Sequence, residues 1–556
     1  MKAHVTFRCW AMLGCLLLPF FANAQQTQLR SVSQTWALTN VHITTSPGEE
    51  AIFGTILISD GLIKEVGAKV KIPGNATIIE GDSAYLYAGF ISGCSHIAVP
   101  SPENERNAEP VSNPGNPAPA RAGIQPQVMV SEVLDPQDKD MASARKAGFT
   151  MAQTMPLGGM MPGQGAIILL RGDSQEEMVY RDANAMFAQW RGASGVYPSN
   201  LLGVIATWKD LFGKASYSLQ HQRSYQESPS GKQRPVVTPE VEALFPVVDG
   251  DQPVMFETSS LLSARRAMTL AEALGFKLML AELQQGWSLT NQLVESDIPV
   301  FLSYDLPEME KPELDPDTIE NAFEKEQAIL AWRKYEEGIA YAEEAATLAE
   351  AGVRFGFSTT GEKPAKIFDN LAIMMEHGLS TEDALAALTT NPADILGLSD
   401  VTGTISSGKM ANLVMLTAPF GTEDAKVKMT VVEGESFEFD VKEKKKSSSE
   451  ERVDIAGTWS YTVKSPQGSN GGTLLFKGED GEYTGTIENP RMGQTVDLED
   501  IEVDGNIVTW TYTVEGGGRS FTIDTEIEID GDTFEGTISL GDFGSFDIEG
   551  EREPEE

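Results

Sequence analysis

A chain of 556 residues is too long for one ordinary core, so several domains are expected. It carries 82 Asp and Glu against 42 Lys and Arg, a formal net charge of -40, which argues against nucleic acid and anionic membrane surfaces as partners. The same balance predicts a well-hydrated, acidic surface.

The first residues read as an export signal. Lys2 and Arg8 precede an apolar run over residues 10–21 that is too short to span a bilayer, and Ala22-Asn23-Ala24 has the small-x-small form of a cleavage site. The mature chain is expected to begin at Gln25 and to be periplasmic or extracellular. A lipid-anchored alternative through Gly14-Cys15 is weaker, because the apolar run continues past the cysteine. No later stretch is long and apolar enough for a membrane span. Cleavage leaves Cys94 as the only cysteine, so no intrachain disulfide can form, and a large core has to stabilise the protein instead.

Residues 35–80 read as short strands. Asp60-Gly61, between the apolar runs 54–58 and 62–66, is a hairpin signal. The run Leu86-Tyr87-Ala88-Gly89-Phe90-Ile91-Ser92-Gly93-Cys94-Ser95-His96 follows. An apolar run ending in polar side chains at i and i+2 is how a barrel strand presents two groups at its C-terminal mouth. Residues 100–136 lack periodicity and are either an active-site loop or a surface excursion. From Lys139 helix and strand alternate, the pattern of a parallel α/β sheet or barrel. Strands are expected at 149–154, 163–170, 253–257, 277–282, 298–302 and 353–361. Helices are expected over 199–226, 259–274 and 317–351, with a polar break at 228–238.

Next come His377-Gly378-Leu379-Ser380-Thr381-Glu382, then Thr389-Thr390-Asn391-Pro392-Ala393, then Gly403-Thr404-Ile405, Gly408-Lys409 and Ala411-Asn412-Leu413-Val414. Ser380 is a helix N-cap with an acidic first turn, and 411–416 is a strand returning to the N-terminal sheet. Together with the first-strand run, these segments resemble the amidohydrolase superfamily, its imidazolonepropionase-like members in particular. The resemblance covers residues 35–435. It implies a TIM-like (β/α)8 barrel with a small β-sandwich built from both flanks. A charged, Ser-rich linker, Lys442 to Glu450, leads into regularly spaced strands with Asp-Gly turns at 480, 504 and 530. Roughly eight strands and a Gly457-Thr458-Trp459 start suggest a C-terminal all-β barrel of the lipocalin kind, either filled or holding one small apolar ligand. The expected domains are a signal peptide (1–24), the N-terminal sandwich part (25–85), the barrel (86–400), the C-terminal sandwich part (401–440), a linker (441–451) and the β-barrel (452–556).

The family resemblance implies a zinc site. It would be made by a first-strand His-x-His, further histidines from two middle strands, and an aspartate on the last strand that takes a proton from metal-bound water. In this sequence the His-x-His is Cys94 and His96, the family Asp before it is Ser92, the middle strands offer Glu257 and Glu282, and the last strand offers Thr359 and Thr360. Threonine has no side chain that titrates near neutral pH, so it cannot replace the aspartate as a base. After cleavage only His42, His96, His221 and His377 remain, and only His96 stands where a ligand is needed. The expectation is therefore no resident cofactor and lost or reduced hydrolysis. Such a protein would keep a ligand pocket, form a homo-oligomer, or partner a complete amidohydrolase. Two alternatives stay open. One is an active hydrolase of C–N bonds in cyclic amides or peptides, with zinc on Cys94, His96, Glu257 and Glu282. The other is a binding protein that captures a small molecule in its C-terminal barrel.

Overall fold

The computed structural model describes residues 35–101, 111–307, 309, 311–319, 321–361, 364–439, 441, 453–465, 468–479, 482–489, 494–516, 519–539 and 545–553. The expected export signal, part of the 100–136 segment, the linker 442–450 and the Asp480-Gly481 turn lie outside the described residues. The chain divides into two compact units, Met1–Val441 and Lys442–Glu556.

The first unit begins with β1 (Thr35–Ile43), β2 (Ile52–Ser59), β3 (Leu62–Gly67), β4 (Thr77–Glu80) and β5 (Tyr85–Ala88). Asp60 and Gly61 both adopt positive φ, 55° and 74°, which gives the β2–β3 turn the twist that a two-residue hairpin needs. The run read as one strand from Leu86 to His96 is two. Leu86–Ala88 belongs to the flanking sheet, and the barrel starts after Gly89 with β6 (Phe90–Ser95). β6 is buried on both faces, as a strand inside a helix-covered barrel must be.

The barrel continues through β7 (Phe149–Thr154), β8 (Gly163–Leu169), β9 (Val179–Ala188), β10 (Val254–Glu257), β11 (Leu278–Leu283), β12 (Val300–Ser303) and β13 (Phe355–Ser358), and closes where β13 meets β6. One strand departs from the (β/α)8 expectation. β8 runs antiparallel to β7 and β9, while the other neighbouring pairs are parallel. Its connection from β7, residues 155–162, is too short for the dozen or so residues that a parallel crossover requires. Below the mouth the interior is packed by Ile91, Met151, Ile167, Phe187, Met255 and Phe301. The described part of the 100–136 segment is not a loose excursion. Ile124 and Met129 bridge to Met161 and Gln164 beside the start of β8, and Ile124 and Val130 are buried.

The helices form for the expected local reasons. Asn200 caps Leu201–Glu227, Ser260 caps Leu261–Leu274 with a reciprocal bond to Ser263, and Ser380 caps Thr381–Leu388. The helix expected over 317–351 is divided into Ala322–Ala342 and Glu344–Glu350, with Asn321 capping the first. β14 (Leu413–Leu416), β15 (Val427–Val432) and β16 (Glu435–Glu438) then join the sheet begun by β1–β5, β14 pairing with β5. Among the described residues no helix is long and apolar enough to cross a membrane.

The second unit consists of β17 (Gly457–Ser465), β18 (Gly468–Glu479), β19 (Glu482–Asn489), β20 (Gln494–Asp504), β21 (Ile507–Gly516), β22 (Arg519–Asp530), β23 (Thr533–Ser539) and β24 (Ser545–Arg552). Each strand pairs antiparallel with the next, and β24 returns to β17, closing a barrel without free edges. Alternate residues point inward, and Trp459, Phe476, Trp510, Ile527 and Phe534 are almost fully buried there. A unit with its own closed sheet and core is expected to fold alone. Expressed from Arg452, it should show a β-type circular dichroism spectrum and a single cooperative melt; a disordered fragment would make it dependent on the rest of the chain.

Candidate functional site

The C-terminal ends of β6, β10, β11, β12 and β13 bring Cys94, Glu257, Glu282, Ser303, Ser358, Thr359 and Thr360 to one barrel mouth. The organising side chain is Glu282. Strand alternation alone would send it outward with Leu280, since Ala281 packs in the barrel interior. Instead the β11–β12 register shifts between Ala281 and Leu283, and Glu282 adopts φ 53°. This is a β-bulge, which re-aims a side chain at the end of a strand. It turns the carboxylate to the mouth, where it is only 6% exposed.

Both carboxylate oxygens are taken by hydroxyls. Ser303 Oγ donates to Oε1 at 2.5 Å, and Thr360 Oγ1 donates to Oε2 at 2.6 Å. A left-handed non-glycine residue costs about 1–2 kcal/mol. Hydrogen bonds to a charged group contribute about 1.5–3 kcal/mol each, so the two bonds offset the strain. Gly361 leaves room beside them, because a Cβ there would displace the Glu282 carboxylate from its two hydroxyls.

The network extends to β6. Ser358 Oγ lies 2.9 Å from Thr360 Oγ1 and donates to the Cys94 carbonyl at 3.2 Å. The Thr359 N–H donates to the same carbonyl at 2.8 Å, and Ser92 Oγ sits 2.9 Å from Thr359 Oγ1. Ser92 and Thr359, at the positions where the resemblance implies acidic and mouth residues, thus bind each other.

Burial pushes the Cys94 thiol well above its usual range, and Glu257 and Glu282 push it further, against a smaller opposing effect of Ser358. Burial also raises the Glu257 carboxyl, as does Glu282, while Arg191 lowers it. His96 stands apart from this group. Its Nδ1 lies 2.7 Å from the Met155 carbonyl and its ring packs edge-on against Phe187. Burial lowers its pKa, partly offset by that carbonyl. The neutral ring then carries its proton on Nδ1 and its lone pair on Nε2. His42 stacks on Tyr85 in the flanking sheet, His221 lies on the helix Leu201–Glu227 beside Tyr217, and His377 ends the helix Ile367–Glu376.

As placed, these donors do not fit the zinc site that the family resemblance implies. A metal needs Cys94 as thiolate and carboxylates with free lone pairs. Burial holds the Cys94 thiol well above its usual range, both Glu282 oxygens already accept hydroxyls, and His96 stands apart beside the Met155 carbonyl. Among the described residues, no group of three or more His, Cys, Asp or Glu is arranged to hold a metal ion. A groove of about 1360 Å³ lies elsewhere, lined by Pro253, Lys277, Pro299 and Arg354 at the opposite ends of the strands.

Sequence reasoning missed Ser303, Ser358 and the bulge. It also missed Glu344, which is 3% exposed and accepts the N–H groups of Gln285 at 3.1 Å and Gly286 at 2.5 Å, just beyond β11. An acid opening the small-residue run Glu344-Ala345-Ala346 was the only available hint. Burial raises this carboxyl from 4.5 to about 8, the two N–H groups opposing. The folded state therefore holds a proton that the unfolded chain releases, and the contribution to stability falls as pH rises from 4.5 to about 8. The Tm of the parent minus that of Glu344→Gln is expected to decline across that window and level off above it. A difference that does not change with pH would contradict this.

Comparison with known proteins agrees with the architecture. Residues 334–437 match the amidohydrolase family model. An amidohydrolase from Thermotoga maritima MSB8 has the same fold at 22% identity, over 72% of this chain and all of that one, with a TM-score of 0.59. A second amidohydrolase, at 16% identity over 74% of this chain and all of its own, has a TM-score of 0.42. A prolidase complexed with N-methylphosphonate-L-proline, at 16% identity over 73% of this chain and all of its own, also has a TM-score of 0.42. The curated proteins yield no match. Residues 334–437 thus match the amidohydrolase family model, and the barrel and flanking sheet around them have the fold of the Thermotoga maritima amidohydrolase.

Proposed function

We propose that this is an exported protein of amidohydrolase fold in which metal-dependent hydrolysis is lost or much reduced, and whose barrel mouth persists as a pocket or as a surface for a complete amidohydrolase. One observation carries the reading. Thr360, at the position that the resemblance gives to the catalytic aspartate, donates its hydroxyl to Glu282, which Ser303 also holds. The groups that would bind metal and water bind one another instead. Burial keeps the Cys94 thiol well above its usual range, and Thr360 cannot serve as the base in the aspartate's place.

A second reading has its own support. Glu257 and Glu282 lie close enough to raise the Cys94 thiol, and His96 keeps the Nδ1-to-carbonyl bond that orients a metal-binding imidazole. Rearrangement around an ion would make a non-standard hydrolase site for C–N bonds in cyclic amides or peptides. For the C-terminal barrel, the close-packed aromatic interior favours a structural role over ligand capture.

Elemental analysis of protein purified from its natural compartment separates the two barrel readings. The first expects less than stoichiometric zinc, iron or manganese. About one tightly held metal per chain, lost in Cys94→Ala or His96→Ala, would establish the second.

A reconstruction tests the first reading further. The double variant Cys94→His, Thr360→Asp restores a first-strand His-x-His and an acid at the end of β13, and should bind zinc more tightly than the parent in calorimetric titration at fixed pH, with little or no hydrolysis. A well-folded double variant with unchanged zinc affinity would remove the idea of a worn metal site.

A further inference from the structure

The turn leaving β11 is held from two sides. On the mouth side, Ser303 and Thr360 grip the Glu282 carboxylate. On the outer side, both oxygens of Glu344 accept backbone N–H groups of the same turn, from Gln285 and Gly286. Between them the turn contains two non-glycine residues with left-handed backbone, Glu282 at φ 53° and Gln285 at φ 62°. Gln285 is fixed in addition by its side chain, whose Nε2 donates to Tyr341 Oη at 2.6 Å. Two such residues within four positions persist only where the surroundings over-determine them. Glu344 is buried at the start of its own helix, and both carboxylate oxygens are spent on this turn.

We propose that Glu344 is the positioning residue that sets Glu282 in the barrel mouth, acting through the Leu283–Gly286 turn. Its two acceptors fix the turn so that the bulge at Glu282 points inward, and the inward carboxylate in turn closes the mouth over Cys94. Nothing in this depends on whether the mouth binds a metal, so it goes beyond the functional reading and is tested with chelator present.

Cys94 is the reporter. In protein expressed from Gln25 it is the only cysteine, and it is fully buried. Its rate of modification by the small neutral reagent methyl methanethiosulfonate measures opening of the mouth. Rates are compared at one pH, in a range where added urea does not change them, so that global unfolding is not what is read. At a pH below 8, where Glu344 holds its proton, Glu344→Ala should raise the rate about tenfold, the effect of losing two hydrogen bonds to a neutral acceptor. Glu344→Gln keeps one acceptor oxygen and should fall between the two. The decisive comparison is in a Glu282→Ala background, where the mouth is already open and Glu344→Ala should add nothing. The same increase in both backgrounds would show that Glu344 only supports the fold and would overturn the proposal, as would unchanged modification in the single variants. If Glu344→Ala does not fold, Glu344→Gln carries the same cycle with the same two outcomes.

Discussion

The mouth of this barrel depends on one bulged glutamate. Glu282 stands in a strand whose alternation would bury it against the outer helices, where an unpaired carboxylate would be costly. The bulge brings it to the one place where two hydroxyls reach it, and those hydroxyls come from the ends of the next two strands, β12 and β13. The rest of the site is arranged around that bond pair. Ser358 links Thr360 to the Cys94 carbonyl, Thr359 and Ser92 join the last strand to the first, and Gly361 leaves room for the carboxylate.

The same arrangement shows how a barrel rim can be held together by hydrogen bonds between strand ends. Parallel strands bring their C-terminal residues to one rim whatever those residues are. Changing the residues at the rim alters what it can do while leaving the barrel intact. In a metal site the carboxylates would be stripped of competing donors and the ligands deprotonated. Here a hydroxyl holds each oxygen of one carboxylate, and burial with acidic groups nearby raises the Cys94 thiol and the Glu257 carboxyl. His96 alone retains the orientation expected of a ligand.

The two units illustrate different solutions to stability. The first buries most of its strands beneath helices and a flanking sheet, and its barrel interior mixes methionine and aliphatic side chains with Phe187 and Phe301. The second has no helical cover among its described residues and closes its sheet on itself, with aromatic side chains filling the centre.

Local pattern in the sequence was enough for much of this. Asp60-Gly61 set its hairpin, Ser380 set its helix start, and the alternation from β17 onward set an all-β barrel, because each is decided by residues a few positions apart. The resemblance carried by residues 86–96 and 377–416 placed Cys94 and Thr360 near one another, and the Ser358–Cys94 pairing agrees with that. Three things depended on contacts between distant segments. β8 runs antiparallel because of a short connection and the space between two neighbours. Glu282 faces the mouth because a bulge, invisible in the pattern Leu278–Leu283, is stabilised by Ser303 and Thr360. Glu344 is buried and used because the turn after β11 needs acceptors that its own residues do not supply. Sequence alone determined which residues stand at the strand ends; tertiary structure decided which of them meet, since a hydrogen bond between residues 78 positions apart exists only once the barrel has closed.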